Sequence, residues 1–295
     1  SDNFRLELIG VPYDEQQNNM QQMNHISAKV CAGETLTEEE LAQILYINTE
    51  IDKSAVKINT VKKELNVPLW GTETMLTKFI YSPFGSQLVT STKSDSDPET
   101  TVGPEQFAVF DEQGSSLDIL NNDFVLKSGG VSNNAYELLR VTPQTKQLQL
   151  VPYAFTEHHE SPEIAKNTVG NFPLELNVSE YGKIVVTGIS FRDGEIAVDY
   201  YKDGFTAADP SFIFYDGSGE PMELGGKLNC TQYVDVHYDT NSYTARYVYA
   251  PAENENAAMP SEFRAAALEQ QLQQIGVFGE NIKLDFDKKV VVNLG

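Results

Sequence analysis

The sequence of 295 residues contains few of the residues that support metal, redox or membrane chemistry. It has four histidines, one tryptophan and two cysteines, Cys31 and Cys230. The cysteines lack the spacing of a metal site or redox motif, so they either form a disulfide or are two buried thiols. No apolar run approaches the about 20 residues of a transmembrane helix. The chain begins at Ser1 without an initiator Met or a signal peptide, and we expect an internal start.

Basic residues are also scarce. The 21 Lys and Arg residues stand against 43 Asp and Glu residues, which gives a net charge of -22. Nucleic-acid binding requires a basic face that replaces counterions, and anionic membrane surfaces attract basic segments. The composition therefore argues against a nucleic-acid partner and against docking on a membrane surface. The 14 Tyr and 15 Phe residues are too many for a disordered acidic chain.

Motifs of catalysis and cofactor binding are missing from the sequence. It has no Gly-x-Ser-x-Gly nucleophile motif and no glycine-rich phosphate loop. The only local group of metal-type ligands is Glu157-His158-His159-Glu160, which lacks further ligands at suitable spacing and is better explained as a solvated linker. We therefore expect no catalytic residue, no cofactor and no metal site. A carbohydrate-active enzyme that uses two carboxylates stays open, because carboxylates are abundant.

Short alternating segments separated by turn residues predict a mainly β protein. Asp193-Gly194 lies between two alternating runs, which is a strong β-hairpin signal. Asp239 to Asn241 separates two Tyr-rich runs in the same way. Many short strands with turns between them are typical of β-sandwiches.

Two segments predict helices. Thr37 followed by Glu40 forms a capping-box pattern, and the following apolar residues predict a helix near 37–46. The second helix is predicted near 261–275, where Ala-rich sequence has high helix propensity and Gly276 supplies a stop. Its predicted apolar stripe consists of Phe263, Ala267, Leu268, Leu272 and Ile275.

An internal repeat divides the chain. Residues 107–114 and 212–219 both read Phe-x-x-aromatic-Asp-x-x-Gly, at an offset of 105, and strand-like segments precede and follow each copy. Generic hairpin chemistry also produces such a pattern, but the shared order of elements favours related modules. We predict two tandem immunoglobulin-like β-sandwich modules with a few short added helices. Residues 1–160 form the N-terminal module and residues 161–295 the C-terminal module.

Several of these motifs also carry a family resemblance. They are Ser82-Pro83-x-Gly85, the Phe-x-x-x-Asp-x-x-Gly-x-x-Leu segment from Phe107 to Leu117, and the Ile-x-Leu-x-Phe strand from Ile282 to Phe286. The chain resembles the extracytoplasmic region of uncharacterised Gram-positive anti-sigma-factor-like membrane proteins, a domain-of-unknown-function family. The resemblance implies a pair of extracellular β domains anchored by one membrane helix that lies outside this chain.

The expected function follows from this resemblance. It is a non-catalytic extracytoplasmic domain of a single-pass bacterial membrane protein, with a sensory or regulatory role and an unknown protein or glycan ligand. The alternative is a cell-surface adhesin or glycan-binding module. The candidate binding surface is a Tyr-rich hairpin, although high β propensity also explains its tyrosines. These residues are Tyr233, Tyr238, Tyr243, Tyr247 and Tyr249.

Overall fold

The computed structural model describes most of the chain and confirms its mainly β character. The described residues are 4–10, 26, 29, 36–42, 45–51, 60–70, 73–82, 85–93, 106–127, 131–156, 163–222, 230–249 and 261–294. Contacts divide the chain into two compact units, Ser1–Thr60 and Val61–Gly295. The division predicted at residue 160 lies inside the second unit and stays a prediction.

The first unit contains an antiparallel pair of strands and a short helix. Strands β1 (Phe4–Gly10) and β2 (Leu45–Ile51) pair with each other. Helix α1 (Glu38–Ala42) begins with the predicted capping box. The Thr37 backbone N–H donates to Glu40 Oε2 at 2.7 Å, and the Glu40 N–H donates to Thr37 Oγ1 at 3.2 Å. The predicted helix near 37–46 is too long, because Leu45 already belongs to the β2 ladder.

The second unit contains two larger sheets of the same strand order. One sheet runs β3-β4-β5-β9-β8 and the other runs β12-β13-β14-β17-β16. In each sheet, three strands that follow one another in the chain pair in that order. A later hairpin then adds two more strands, and its second strand pairs with the third strand of the sheet. The strands of the first are β3 (Val61–Pro68), β4 (Thr74–Ser82), β5 (Gly85–Lys93), β8 (Ile119–Lys127) and β9 (Val131–Leu138). Those of the second are β12 (Leu174–Asn177), β13 (Gly182–Arg192), β14 (Glu195–Gly204), β16 (Cys230–His237) and β17 (Ser242–Tyr249).

A second sheet with mostly shorter strands, which we call the small sheet, accompanies each large one. The first is built on β10, which pairs with β6, β19 and β20, while β7 pairs with β6; the second runs β11-β18-β15. The strands of the first are β6 (Phe107–Phe110), β7 (Ser116–Leu117), β10 (Gln147–Phe155), β19 (Ile282–Leu284) and β20 (Val290–Asn293). Those of the second are β11 (Ile164–Thr168), β15 (Phe212–Tyr215) and β18 (Gln274–Phe278).

Side chains from each pair of sheets form a hydrophobic core, so the unit is β-sandwich-like. The first core joins Leu76 and Leu88 of its large sheet to Phe107 and Leu150 of its small sheet. The second core joins the large sheet of β13, β14 and β17 to Phe212 and Phe214 of β15. The C-terminal strands β19 and β20 lie on the first core's small sheet, where Val292 is buried.

The repeated turn sequences adopt the same structure. The Asp111 carboxylate accepts from the N–H groups of Gln113 and Ser115, and Gly114 has φ of 83°. At the offset of 105, the Asp216 carboxylate accepts from the N–H groups of the corresponding residues, and Gly219 has φ of 84°. The sequence repeat is therefore confirmed at these two turns. The hairpins predicted at Asp193-Gly194 and at 239–241 are also present.

The predicted C-terminal helix is interrupted and shorter than expected. A 3-10 turn covers Ser261–Phe263, and helix α2 covers Ala265–Gln271. Residues 274–278, including Gly276, form β18 instead of the last helical turn and its stop. Pairing of β18 with two strands overrides local helix propensity here. The predicted stripe still faces inward, because Phe263, Leu268, Leu272 and Ile275 are buried in the second core.

Candidate binding site at the junction of the two cores

The five tyrosines of the predicted binding surface do not form one surface. Tyr243 and Tyr247 are only 1% and 3% exposed and lie in the second core. Tyr249 stacks on Phe263, with ring centroids 4.4 Å apart. Tyr233 and Tyr238 are exposed, at 55% and 53%. In a strand, successive side chains point to opposite faces of the sheet, which separates these tyrosines.

Two of these tyrosines connect the cores. The Tyr243 hydroxyl donates to Asp118 Oδ2 at 2.6 Å, and Asp118 lies between β7 and β8 on the first-core side. The Tyr238 hydroxyl donates to Glu137 Oε1 on β9 at 3.0 Å. The hairpin therefore holds the second core against the first, a role that its sequence did not suggest.

Charged groups surround the hydrogen bond between Tyr243 and Asp118. The Arg140 guanidinium lies 3.6 Å from Asp118 Oδ2 and donates to the backbone carbonyl of Lys202 at 2.7 Å. Arg140 adopts φ of 69°, a left-handed conformation that costs of order 1–3 kcal/mol for a residue other than Gly and persists where surrounding contacts hold it. Arg140 thus joins a carboxylate of one core to the backbone of the other.

Lys202 places a buried ammonium at the same junction. Its side chain is almost fully buried, and its Nζ lies 2.9 Å from Asp209 Oδ1. The Nζ also lies 5.3 Å from the centroid of the Tyr243 ring, within the range of a cation–π contact. Burial of an ammonium is costly unless it is paired, and Asp209 supplies that partner from the loop between β14 and β15.

Phe205 of the same loop makes the apolar part of the junction. It packs 5.1 Å from Tyr153 and 6.3 Å from Phe110 of the first core's small sheet, measured between ring centroids. A Cβ at Gly182 would lie 2.2 Å from the Phe205 carbonyl oxygen. Glycine at this position therefore allows the close backbone approach that places Phe205 against the first core.

A cavity of about 360 Å³ lies between the cores at this place. Its volume is at the lower end of the roughly 300–1,000 Å³ range of ligand pockets, which occur preferentially at domain interfaces. Carboxylate, ammonium, amide and hydroxyl groups lie beside aromatic side chains in its wall. The polar members are Gln106, Asp118, Asn122, Lys202, Thr206 and Asp209, and the aromatic members are Phe107, Tyr136, Tyr153 and Phe205.

Burial keeps the phenols of the junction protonated. It raises the pKa of the Tyr243 hydroxyl far above its usual range, and the nearby Asp118 charge raises that pKa further. Burial likewise raises the pKa of the hydroxyl of Tyr200, whose ring stacks on the ring of Tyr243. Both phenols therefore keep their O–H hydrogen at neutral pH. No described side chain bonds to the Tyr200 hydroxyl or to that of Thr206.

The sequence analysis missed the charged residues of the junction. Asp118 interrupts the apolar run from Leu117 to Leu120, and Lys202 follows two tyrosines in a strand. A charge within an apolar strand segment is the only sequence signal for a buried polar site. Because the chain contains 43 Asp and Glu residues, that signal is too weak to single out one residue.

The other chemical candidates lie largely outside the described residues. Glu157-His158-His159-Glu160, Cys31 and the side chain of Cys230 are all outside them. Within the described ranges, no group of three or more His, Cys, Asp or Glu side chains is arranged to hold a metal ion. Over those same residues, no helix has both the length and the apolarity needed to cross a membrane.

Comparison with known proteins gives no relative: no family model matches the sequence, and no curated protein or solved structure is significantly similar.

Proposed function

We propose that this chain is the non-catalytic, extracytoplasmic part of a single-pass bacterial membrane protein with a sensory or regulatory, anti-sigma-factor-like role. The supporting observation is the junction of the two cores, where Asp118, Arg140 and Lys202 join the cores through polar contacts. A ligand that binds among these contacts would shift the two cores toward a single arrangement. The membrane anchor would report that change across the membrane.

The proposal includes a finer description of the fold as two tandem immunoglobulin-like modules. The repeated strand order of the large sheets and the matching Asp111 and Asp216 turns support it. In the second module the outer strand β11 precedes β12 in the chain. In the first, β20 occupies the corresponding place beside β10. The C-terminal segment would thus complete the N-terminal module.

Several solvent-accessible charged groups of the described residues have pKa values shifted away from neutrality. General acids and bases work best when their pKa values lie near the operating pH. Here the shifted groups move away from neutrality. Hydrogen bonds lower the carboxyl pKa of Asp193 and Asp216, and carboxylate neighbours raise the pKa of Lys183 and Arg246. Such groups keep a fixed charge, which suits recognition.

A topology experiment on the natural full-length protein tests the location. The protein, tagged at its C-terminus, would be expressed in a Gram-positive host, and intact cells would be treated with a protease. We expect the tagged protein in the membrane fraction and loss of the tag from intact cells. A cytoplasmic protein of known location is the control for lysis. Recovery of the full-length protein in the cytosol would defeat the proposal.

The adhesin or glycan-binding alternative is favoured by the exposed aromatic rings of Tyr233 and Tyr238. Stacking of such rings on sugars is a common mode of recognition. Glycan-array binding that is lost in Tyr233→Ala would support this alternative. Because Tyr238 already bonds to Glu137, Tyr233 is the cleaner position for the test.

A further inference from the structure

The cavity between the cores contains a buried polar group that has no partner among the described residues. Thr206 is 8% exposed, and its Oγ1 forms no hydrogen bond with any described residue. Leaving a buried hydroxyl unpaired costs free energy, and native proteins pair most such groups. Thr206 lies in the wall of the cavity, and rotation of its side chain would present the hydroxyl to a bound molecule, which would supply the missing partner.

The charges around the cavity are already balanced within the protein. Arg140 and Tyr243 compensate the Asp118 carboxylate, and Asp209 compensates the Lys202 ammonium. To form an ion pair of its own, a charged ligand would have to displace Asp209 from Lys202 or Arg140 from Asp118, and the loss of the existing pair offsets the gain. The cavity therefore favours a ligand without net charge.

A hydroxyl-rich ligand matches the remaining hydrogen-bonding capacity. Each hydroxyl both donates and accepts, so one molecule can donate to Asp118 and accept from Lys202 without disturbing either ion pair. None of the described residues donates to Asp118 Oδ1. The rings of Phe107 and Tyr153 offer apolar surface for the C–H face of a sugar ring.

We propose that this cavity binds a small neutral polyhydroxylated molecule of the monosaccharide class, either free or as the terminal sugar of a glycan. The inference rests on the proposed sensory function, for which it names the ligand class and the site. The ligand contacts Asp118 from the first core and Lys202 and Thr206 from the second. Binding therefore ties the two cores together in one arrangement.

Titration calorimetry with the purified chain tests the site. The probes are glucose, galactose, mannose and N-acetylglucosamine, together with a short oligosaccharide of each, and glutamate and lysine as charged comparisons. We expect at least one sugar to bind and the charged molecules to fail. Binding of the monosaccharide identifies a free sugar as sufficient, whereas binding of the oligosaccharide alone identifies a glycan terminus.

Thr206→Val keeps the side-chain shape and removes the hydroxyl that the ligand would engage. We expect about tenfold weaker sugar binding, the effect of losing one hydrogen bond. Folding should stay intact because the Thr206 hydroxyl has no partner to lose among the residues that the structure describes. Thr168→Val, an exposed change on β11, is the matched control and should bind as wild type. Asn122→Ala at the exposed rim of the cavity gives a second, independent variant.

Three results would overturn the site: no sugar binds, a charged probe binds in its place, or sugar binding is equal in wild type, Thr206→Val and Asn122→Ala. The failure of the proposed function is separate. A sugar-binding protein found in the cytosol would keep the site and defeat the sensor, whereas a membrane-anchored protein that binds no sugar would defeat only the site.

Discussion

The Tyr243 hydroxyl donates a 2.6 Å hydrogen bond to the carboxylate of Asp118, 125 residues earlier in the chain. Both residues are buried, so water does not replace the bond when it is lost. This contact joins a strand of the second core to a segment of the first. The stability of the whole second unit should therefore depend on it.

Tyr243→Phe removes this donor and leaves the Asp118 carboxylate short of a partner. We expect the free energy of unfolding to fall by about 1.5–3 kcal/mol, the range for hydrogen bonds to charged groups. Urea unfolding followed by circular dichroism measures the change. Tyr233→Phe, at the exposed position on the same hairpin, is the control and should stay within about 0.5 kcal/mol. Equal losses in both variants would contradict the role of the contact.

Strand β20 provides a test of how the C-terminal segment stabilises the first core. Val292 is 2% exposed, whereas Val291 is 42% exposed on the opposite face of the same strand. We expect Val292→Ala to lower the free energy of unfolding by about 2 kcal/mol because it leaves a cavity in the core. Val291→Ala loses the same β propensity but should change stability by less than about 1 kcal/mol. A loss of stability in Val292→Ala no larger than in Val291→Ala would mean that β20 does not contribute to the core.

The glycines of the two repeated turns should respond alike to substitution. Gly114 and Gly219 have φ of 83° and 84°, and nothing lies within 4 Å of a Cβ at either position. The cost of Gly→Ala is therefore conformational strain alone, about 1–2 kcal/mol in each case. Gly170 has equal space without a left-handed φ, so Gly170→Ala should be neutral or stabilising by up to about 1 kcal/mol. Thermal denaturation measures all three, and clearly unequal losses at 114 and 219 would argue against equivalent turns.

The Asp216 turn predicts a dependence of stability on pH. The Ser218 hydroxyl and backbone N–H donate to the Asp216 carboxylate and lower its pKa from the ordinary value of 3.8. Because the folded pKa is the lower one, the stabilisation is present above pH 3.8 and is lost as the pH falls through the folded pKa.

Below pH 3.8, we expect the stability of Asp216→Asn to fall less steeply than that of the wild type. The urea midpoint, compared at pH 5 and pH 3, measures this difference. Ser218→Ala, which removes one donor to the carboxylate, should lie between the two proteins. Parallel pH profiles of wild type and Asp216→Asn would show that this carboxylate is not coupled to folding.

Local chemistry allowed the sequence to predict turns and caps. The capping box of Thr37 and Glu40, the hairpin at Asp193-Gly194 and the repeated turns at Asp111 and Asp216 all depend on contacts within five residues. Such contacts are set by side-chain chemistry and backbone preference alone. The sequence therefore determined the mainly β class and the repeat.

Long-range pairing decided what the sequence misplaced. Residues 274–278 follow sequence of high helix propensity, but they form a strand because they pair with β11 and β15. Alternation assigned Tyr243 to a strand, yet only packing between the sheets buried it and aimed its hydroxyl at Asp118. The junction of Asp118, Arg140 and Lys202 comes from segments up to 84 residues apart. Its geometry depends on how two cores meet, and no local pattern of residues encodes that.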